Sequence, residues 1–109
     1  MSTHTASLSL TLAVAAAARY ARPTWEVDRQ RLGLTTDEAL ALAALCDADG
    51  ASLAGMAVRL RVPRRAVARI VEQLEAEGRV ERDGDEVWLT LPGRALRAPL
   101  EDSLRRLVV

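Results

Sequence analysis

The chain has 109 residues, of which 50% are hydrophobic and 28% charged; that is material for one globular domain and excludes most architectures built around a cofactor crevice. Fifteen basic residues, all arginine, balance fifteen Asp and Glu to a net charge of zero, so a nucleic-acid or membrane partner has to be argued from local charge. The lone cysteine, Cys46, cannot form an intramolecular disulfide and suits a reducing compartment, with the cytoplasm as the expectation. Aromatics are limited to Tyr20, Trp25 and Trp88, which leaves Leu, Val and Ala to build the core.

The apolar run from Leu8 to Ala18 has no basic residue before it. At about 11 residues it is also shorter than the ~20 that span a bilayer. It reads as a helix from about Ser7 to Ala21, ended by Pro23, whose ring removes a donor and restricts Arg22; no membrane partner is expected. A second helix opens on Thr35-Thr36-Asp37-Glu38, a capping box in which Thr35 accepts from the third helical amide while Glu38 reaches back. Leu42, Leu45 and Cys46 give it an apolar face, and Asp49-Gly50 closes it. Ser52 caps a third helix with Leu53, Met56, Ala57 and Leu60 at i, i+3, i+4 and i+7. After the turn Arg61-Val62-Pro63, a fourth helix over about 63–77 repeats that pattern in Val67, Ile70, Val71 and Leu74, with Pro63 at its start and Gly78 at its end.

The period then changes. Residues 79–82 and 87–90 read as two short strands around the turn Asp83-Gly84-Asp85-Glu86. Beyond Pro92-Gly93, a last helical stripe of Leu96, Leu100, Leu104, Leu107 and Val108 is expected to be broken or kinked at Pro99.

Two helices joined by a three-residue turn and followed at once by a hairpin are the order of a winged helix-turn-helix, mainly α with a small β-hairpin. The apolar faces of the two helices pack together, and one face of the second stays free. That face begins with arginines: Arg65, Ala68, Arg69, Glu72 and Ala76 lie opposite the apolar stripe at ~100° per residue. Residues 51–71 carry five arginines and no acid, whereas residues 72–90 carry seven acids and two arginines. The basic charge is thus concentrated where a recognition helix meets bases and phosphates.

From Leu34 to Leu96 the chain resembles the MarR family of winged-helix transcription factors. The resemblance rests on Leu34-Thr35, Ser52-Leu53, Met56-Ala57, Val62-Pro63-Arg64 and Val67, and above all on the run LEAEGRVERDGDEVWLTLPGRAL, which joins recognition helix, wing and closing helix in family order. It implies a homodimeric regulator, a repressor of nearby genes, that sets its recognition helices in the major groove of a pseudo-palindromic operator on double-stranded DNA. Residues 34–93 would be the DNA-reading core of a single domain, and 1–33 and 94–109 the dimerisation helices. Leu8, Leu12 and Ala15, along one face, and the C-terminal leucines allow such pairing.

Carried over residue by residue, Pro63, Arg64, Arg65 and Ala66 match the start of the recognition helix, and Ala68 and Arg69 its next base-facing positions. Arg65 and Arg69 suit bidentate guanine contacts. Arg59, Arg61 and Arg64 flank the turn and suit phosphates, with Ser52, Arg79 and Arg82 completing the phosphate set. The wing departs from the family pattern: it is short, lacks the usual arginine near its tip and carries Asp83, Asp85 and Glu86, which repel a phosphate backbone. The C-terminal segment is short too, so a pocket for a small-molecule effector between it and the wing is expected to be reduced. Zero net charge and an acidic wing support an alternative, a winged-helix module that docks a protein and leaves DNA alone.

Other residues read as structural. Cys46 follows Leu45 on an apolar face, so packing outweighs a redox role. The wing acids fit a hairpin turn better than a cation site. Trp88 reads as wing-to-core packing, and His4, the only histidine, lies in a terminus expected to fray, so acid–base or zinc chemistry built on it is not expected. No phosphate loop, metal set, cofactor motif or nucleophile–histidine pair is present, so no enzyme is expected.

Overall fold

The computed structural model describes residues 9–108, and the side chains of all but the last two of these; Ser7, Leu8 and His4 lie outside the described residues, as do the side chains of Leu107 and Val108. Helix α1, Leu10–Tyr20, is capped by Ser9, whose hydroxyl accepts from the Leu12 amide at 3.1 Å. A second acceptor comes from far along the chain. The Asp47 carboxylate takes the Leu10 and Thr11 amides at 2.9 and 3.0 Å and the Ser9 and Thr11 hydroxyls at 2.8 and 2.7 Å, which satisfies orphan donors of α1 and sets a negative charge at its positive end.

Pro23 does not simply end the first helix; it opens another. Helix α2, Arg22–Arg31, follows a single break at Ala21 and holds Pro23 in its first turn, where the missing N–H costs nothing. This helix, absent from the sequence reading, also corrects the expected core. Its Trp25 is 1% exposed and donates from Nε1 to the Thr36 hydroxyl at 3.2 Å, so a tryptophan joins the Leu, Val and Ala of the interior.

Helix α3, Thr36–Asp47, begins on the expected capping box, with Glu38 N–H to Thr35 Oγ1 at 3.0 Å and Thr35 N–H to Glu38 Oε1 at 2.9 Å. It is the central element, with Ala39 and every residue from Ala41 to Leu45 buried. Strand β1, Ala51–Ser52, leads into α4, Leu53–Leu60, and α5, Arg64–Ala76. Helix α5 ends as expected on Gly78, at φ +75°, and the bonds Arg79 N–H to Leu74 O and Gly78 N–H to Glu75 O complete a Schellman motif.

Strands β2, Val80–Asp83, and β3, Glu86–Leu89, form the wing hairpin around Gly84-Asp85. The sheet has a third member: β1 pairs antiparallel with β3 through Ala51↔Val87 and Ser52↔Glu86, giving the order β1-β3-β2. Two residues are too few to leave a periodic signal. The wing closes on the one-turn helix α6, Leu91–Arg94, where Gly93 is required because a Cβ there would run into the Arg79 carbonyl oxygen. Helix α7, Arg97–Val108, contains no kink at Pro99, because Pro99 falls in its first turn. Leu100 is fully buried, and the half-buried Leu96 and Leu104 pack against the same core.

Burial alone would raise the Asp47 carboxyl, but the Thr11 and Leu10 amides and the Thr11 and Ser9 hydroxyls outweigh it and hold its pKa below the usual range. A depressed folded-state pKa contributes stability that is present above the unfolded value, about 4, and lost as pH falls through the folded value. Asp47→Asn is therefore expected to cost about 1 kcal/mol at neutral pH, the usual worth of a helix cap, and to match the parent protein in strongly acidic buffer. Urea denaturation at the two pH values measures this; an equal deficit at both would overturn it.

Candidate nucleic-acid interface

The geometry of α4 and α5 is set by the three residues between them. Arg61 takes the left-handed conformation at φ 58°, ψ 45°, the only described non-glycine residue with positive φ. Its N–H bonds to Val58 O at 3.3 Å and the Val62 N–H to Ala57 O at 3.1 Å, a Schellman ending built on an arginine. Val62 then packs against the core. Pro63 lies one position earlier than expected: it is the N-cap of α5, at φ −62°, ψ 148°, and Arg64 is the first helical residue.

Helix α5 buries Val67, Val71 and Leu74 to 0% exposure. The opposite side emerges bearing Arg65 and Arg69, both exposed and neither within ion-pair distance of a described acid. Pro63 and Arg64 are exposed as well, whereas Ala66 and Ala68 are half-buried and Ala68 packs on the core. Of the base-facing set, the arginines therefore project furthest.

The phosphate candidates divide. Arg61 is exposed on the turn, and Arg59, beside it, lies 3.7 Å from Asp47. Ser52 caps α4, its Oγ accepting from Gly55 N–H at 2.9 Å, which leaves its own O–H free to donate. Arg82 is exposed and, from the hairpin register, extends the face of Val80, Val87 and Leu89 past the edge of the core. Arg79 does not belong with them. Its guanidinium turns inward to within 3.6 Å of Glu77, and its Nη1 is buried without a hydrogen-bond partner.

Two contacts escaped the sequence reading. Asp49 accepts from Leu89 N–H at 2.9 Å and pairs with Arg94 at 3.3 Å, tying the wing's last strand to the end of α3. Asp85, at the wing tip, meets Arg64 at 2.8 Å. Neither leaves a local signal, since the partners are 40 and 21 residues apart. Cys46 is half-buried, and burial raises its thiol pKa despite Arg97 nearby, as packing requires. Trp88 lies on the outer wing face, 39% exposed, with its ring over Gly50 and not in the core.

A helix pair with a tight turn, an exposed basic second helix and a three-stranded sheet define a winged helix-turn-helix protein. The sequence model of the MarR family matches residues 32–86, half of the chain. The chain belongs to the MarR family. It is similar to a MarR family protein of Mycobacterium tuberculosis, at 33% identity over 78% of this chain and 65% of that one, with a TM-score of 0.72. A structure of that protein in complex with DNA aligns at 32% identity over 89% and 74% of the two chains, with a TM-score of 0.73. A MarR family transcriptional regulator from Silicibacter pomeroyi aligns at 25% identity over 89% and 62%, with a TM-score of 0.67. The chain thus spans between 62% and 74% of the length of these structures. No curated protein sequence matches it. Among the described residues no helix is long and apolar enough to cross a membrane.

The left-handed arginine yields a prediction that separates folding from binding. Arg61→Gly removes the Cβ clash of that conformation and is expected to stabilise the fold by about 1 kcal/mol, read as a higher urea midpoint, although it deletes an exposed cation. A lower midpoint would show that the Arg61 side chain supports the turn.

Proposed function

We propose that this protein is a sequence-specific DNA-binding transcription regulator, a homodimer that represses nearby genes from a pseudo-palindromic operator. The observation that carries the reading is the pair Arg65 and Arg69, exposed and unpaired among the described residues, on a helix anchored on its opposite face by the fully buried Val67, Val71 and Leu74 and the half-buried Ile70. Such a helix fits the major groove, where each arginine matches the N7 and O6 acceptors of guanine. The relative from Mycobacterium tuberculosis solved with DNA supports the same reading. Arg59, Arg61, Arg82 and the Ser52 hydroxyl then hold phosphates on either side; Arg79 is left out.

Within one domain, residues 34–93 read the DNA and the flanking segments pair the subunits. Support for pairing comes from α1, where Leu12 is 66% and Tyr20 80% exposed beside the exposed Ala15 and Ala16, an apolar face open to a second copy. The same face borders a groove of about 520 Å³ that α1 forms with α3 and α4, lined by Leu12, Ala16, Tyr20, Leu40 and Leu60, so an effector bound there would lie at the subunit contact. A repressor acts where the chromosome is, in the cytoplasm.

Fluorescence anisotropy against a genomic fragment selected by binding, and against a duplex of random sequence, tests the roles. Arg65→Ala and Arg69→Ala are each expected to cost about 1–3 kcal/mol on the selected fragment and to flatten base preference. Arg59→Ala and Arg61→Ala are expected to weaken both duplexes alike and to lower the salt slope by about one each. Equal, salt-insensitive binding by all four variants would falsify the assignment. Failure of the parent protein to bind either duplex would favour the protein-docking alternative.

A further inference from the structure

The wing tip is held in place. The Asp85 carbonyl accepts from the Leu53 N–H at 3.1 Å, filling the first orphan donor of α4, while the neighbouring Glu86 pairs with Ser52 in the sheet. Those contacts carry the Asp85 side chain to the start of α5, where its carboxylate lies 2.8 Å from the Arg64 guanidinium. The start of α5 is a place that wants an anion: Pro63 offers no side-chain cap, the first turn holds no acid, and the positive end of the helix adds to two arginines. At the tip the charge is the reverse, because Asp83 lies directly opposite Glu86 across the hairpin with Asp85 between them, and like charges so placed repel.

We propose that Asp85 is an affinity-limiting residue that competes with DNA phosphate for Arg64, so that the wing weakens binding to duplex in general and leaves discrimination between sequences to Arg65 and Arg69. A guanidinium–carboxylate pair and a guanidinium–phosphate pair use the same donors in the same geometry, so Arg64 cannot serve both in full. The released carboxylate also faces the phosphates and recruits a cation, which cancels part of the counterion release that drives association. Operator and non-operator DNA bear this cost equally. Its effect is to raise both dissociation constants by the same factor, so that the ratio between them is set by the base contacts alone.

The inference rests on the DNA-binding reading, and the test keeps the two apart. Binding to a random-sequence duplex is measured across a salt series for the parent, Asp85→Asn, Asp85→Glu, Asp83→Asn, Arg64→Ala and the Arg64→Ala/Asp85→Asn pair, with thermal melts to verify folding. Asp85→Asn is expected to tighten binding about two- to fivefold per recognition helix, the range of an exposed ion pair, and to steepen the salt slope by about one. Asp83→Asn, which removes an equal charge without an arginine partner, is expected to do less, and Asp85→Glu to restore parental behaviour. The gain is expected to shrink in the Arg64→Ala background to that of Asp83→Asn. A gain that persists without Arg64, or that Asp83→Asn equals in the parent, overturns the competition while leaving DNA binding intact. No binding by the parent removes the functional reading and this inference with it.

Discussion

The structure depends on the burial of the apolar side of α5. Val67, Val71 and Leu74 have no exposed surface, and at roughly 1.5–3 kcal/mol for each side chain removed from water, rotating the helix by even one residue would cost more than any surface contact returns. The orientation of the other side follows. Arg65 and Arg69 face outward because the helix has no alternative, and a rigid presentation of this kind suits recognition better than side chains on a loop, since little ordering remains to be done on binding.

Acids and arginines are equal in number but are used differently. Asp47 closes the start of α1, Glu38 closes α3, Asp49 holds β3, and Asp28, 4% exposed, receives Arg106 from α7 at 3.1 Å. These carboxylates are occupied by amides, hydroxyls and structural ion pairs inside the scaffold. The arginines of the turn and of α5 have no comparable internal work, apart from Arg64 and, at 3.7 Å, Arg59. A chain of zero net charge can thus present a local positive surface at the turn and the start of α5, since these four carboxylates are committed inside the scaffold and residues 51–71 carry five arginines and no acid. Net charge is a statement about solubility; the field at a site depends on which charges are free.

Much of this was legible because the signals are local. The Thr35/Glu38 box, the glycine after α5, the i, i+3, i+4, i+7 stripes and the change of period at residue 79 each occupy a few adjacent residues, and each has a backbone reason to be where it is. Helix α2 was missed for a reason equally physical. The segment 22–31 is polar apart from Trp25 and Val27, and a proline that ends one helix looks, one residue away, like a proline that begins the next. The placement of Arg79, the third strand and the Asp85–Arg64 pair were beyond reach because each depends on tertiary register, and nothing within four residues encodes which distant group will arrive.

The shortness of the wing follows from the same register. With a two-residue loop, a β1–β3 pairing and the Asp85 carbonyl on α4, the hairpin is bound along its length to the body it covers. A longer wing gains reach into a neighbouring groove, and it also acquires an end free to move, which must be ordered on binding at an entropic cost. This wing has given up reach for fixity. What it exposes at its edge is Arg82, and what it brings to α5 is a carboxylate delivered to a fixed point; under the proposed function, discrimination between sequences then falls to a single helix, on two arginines one turn apart.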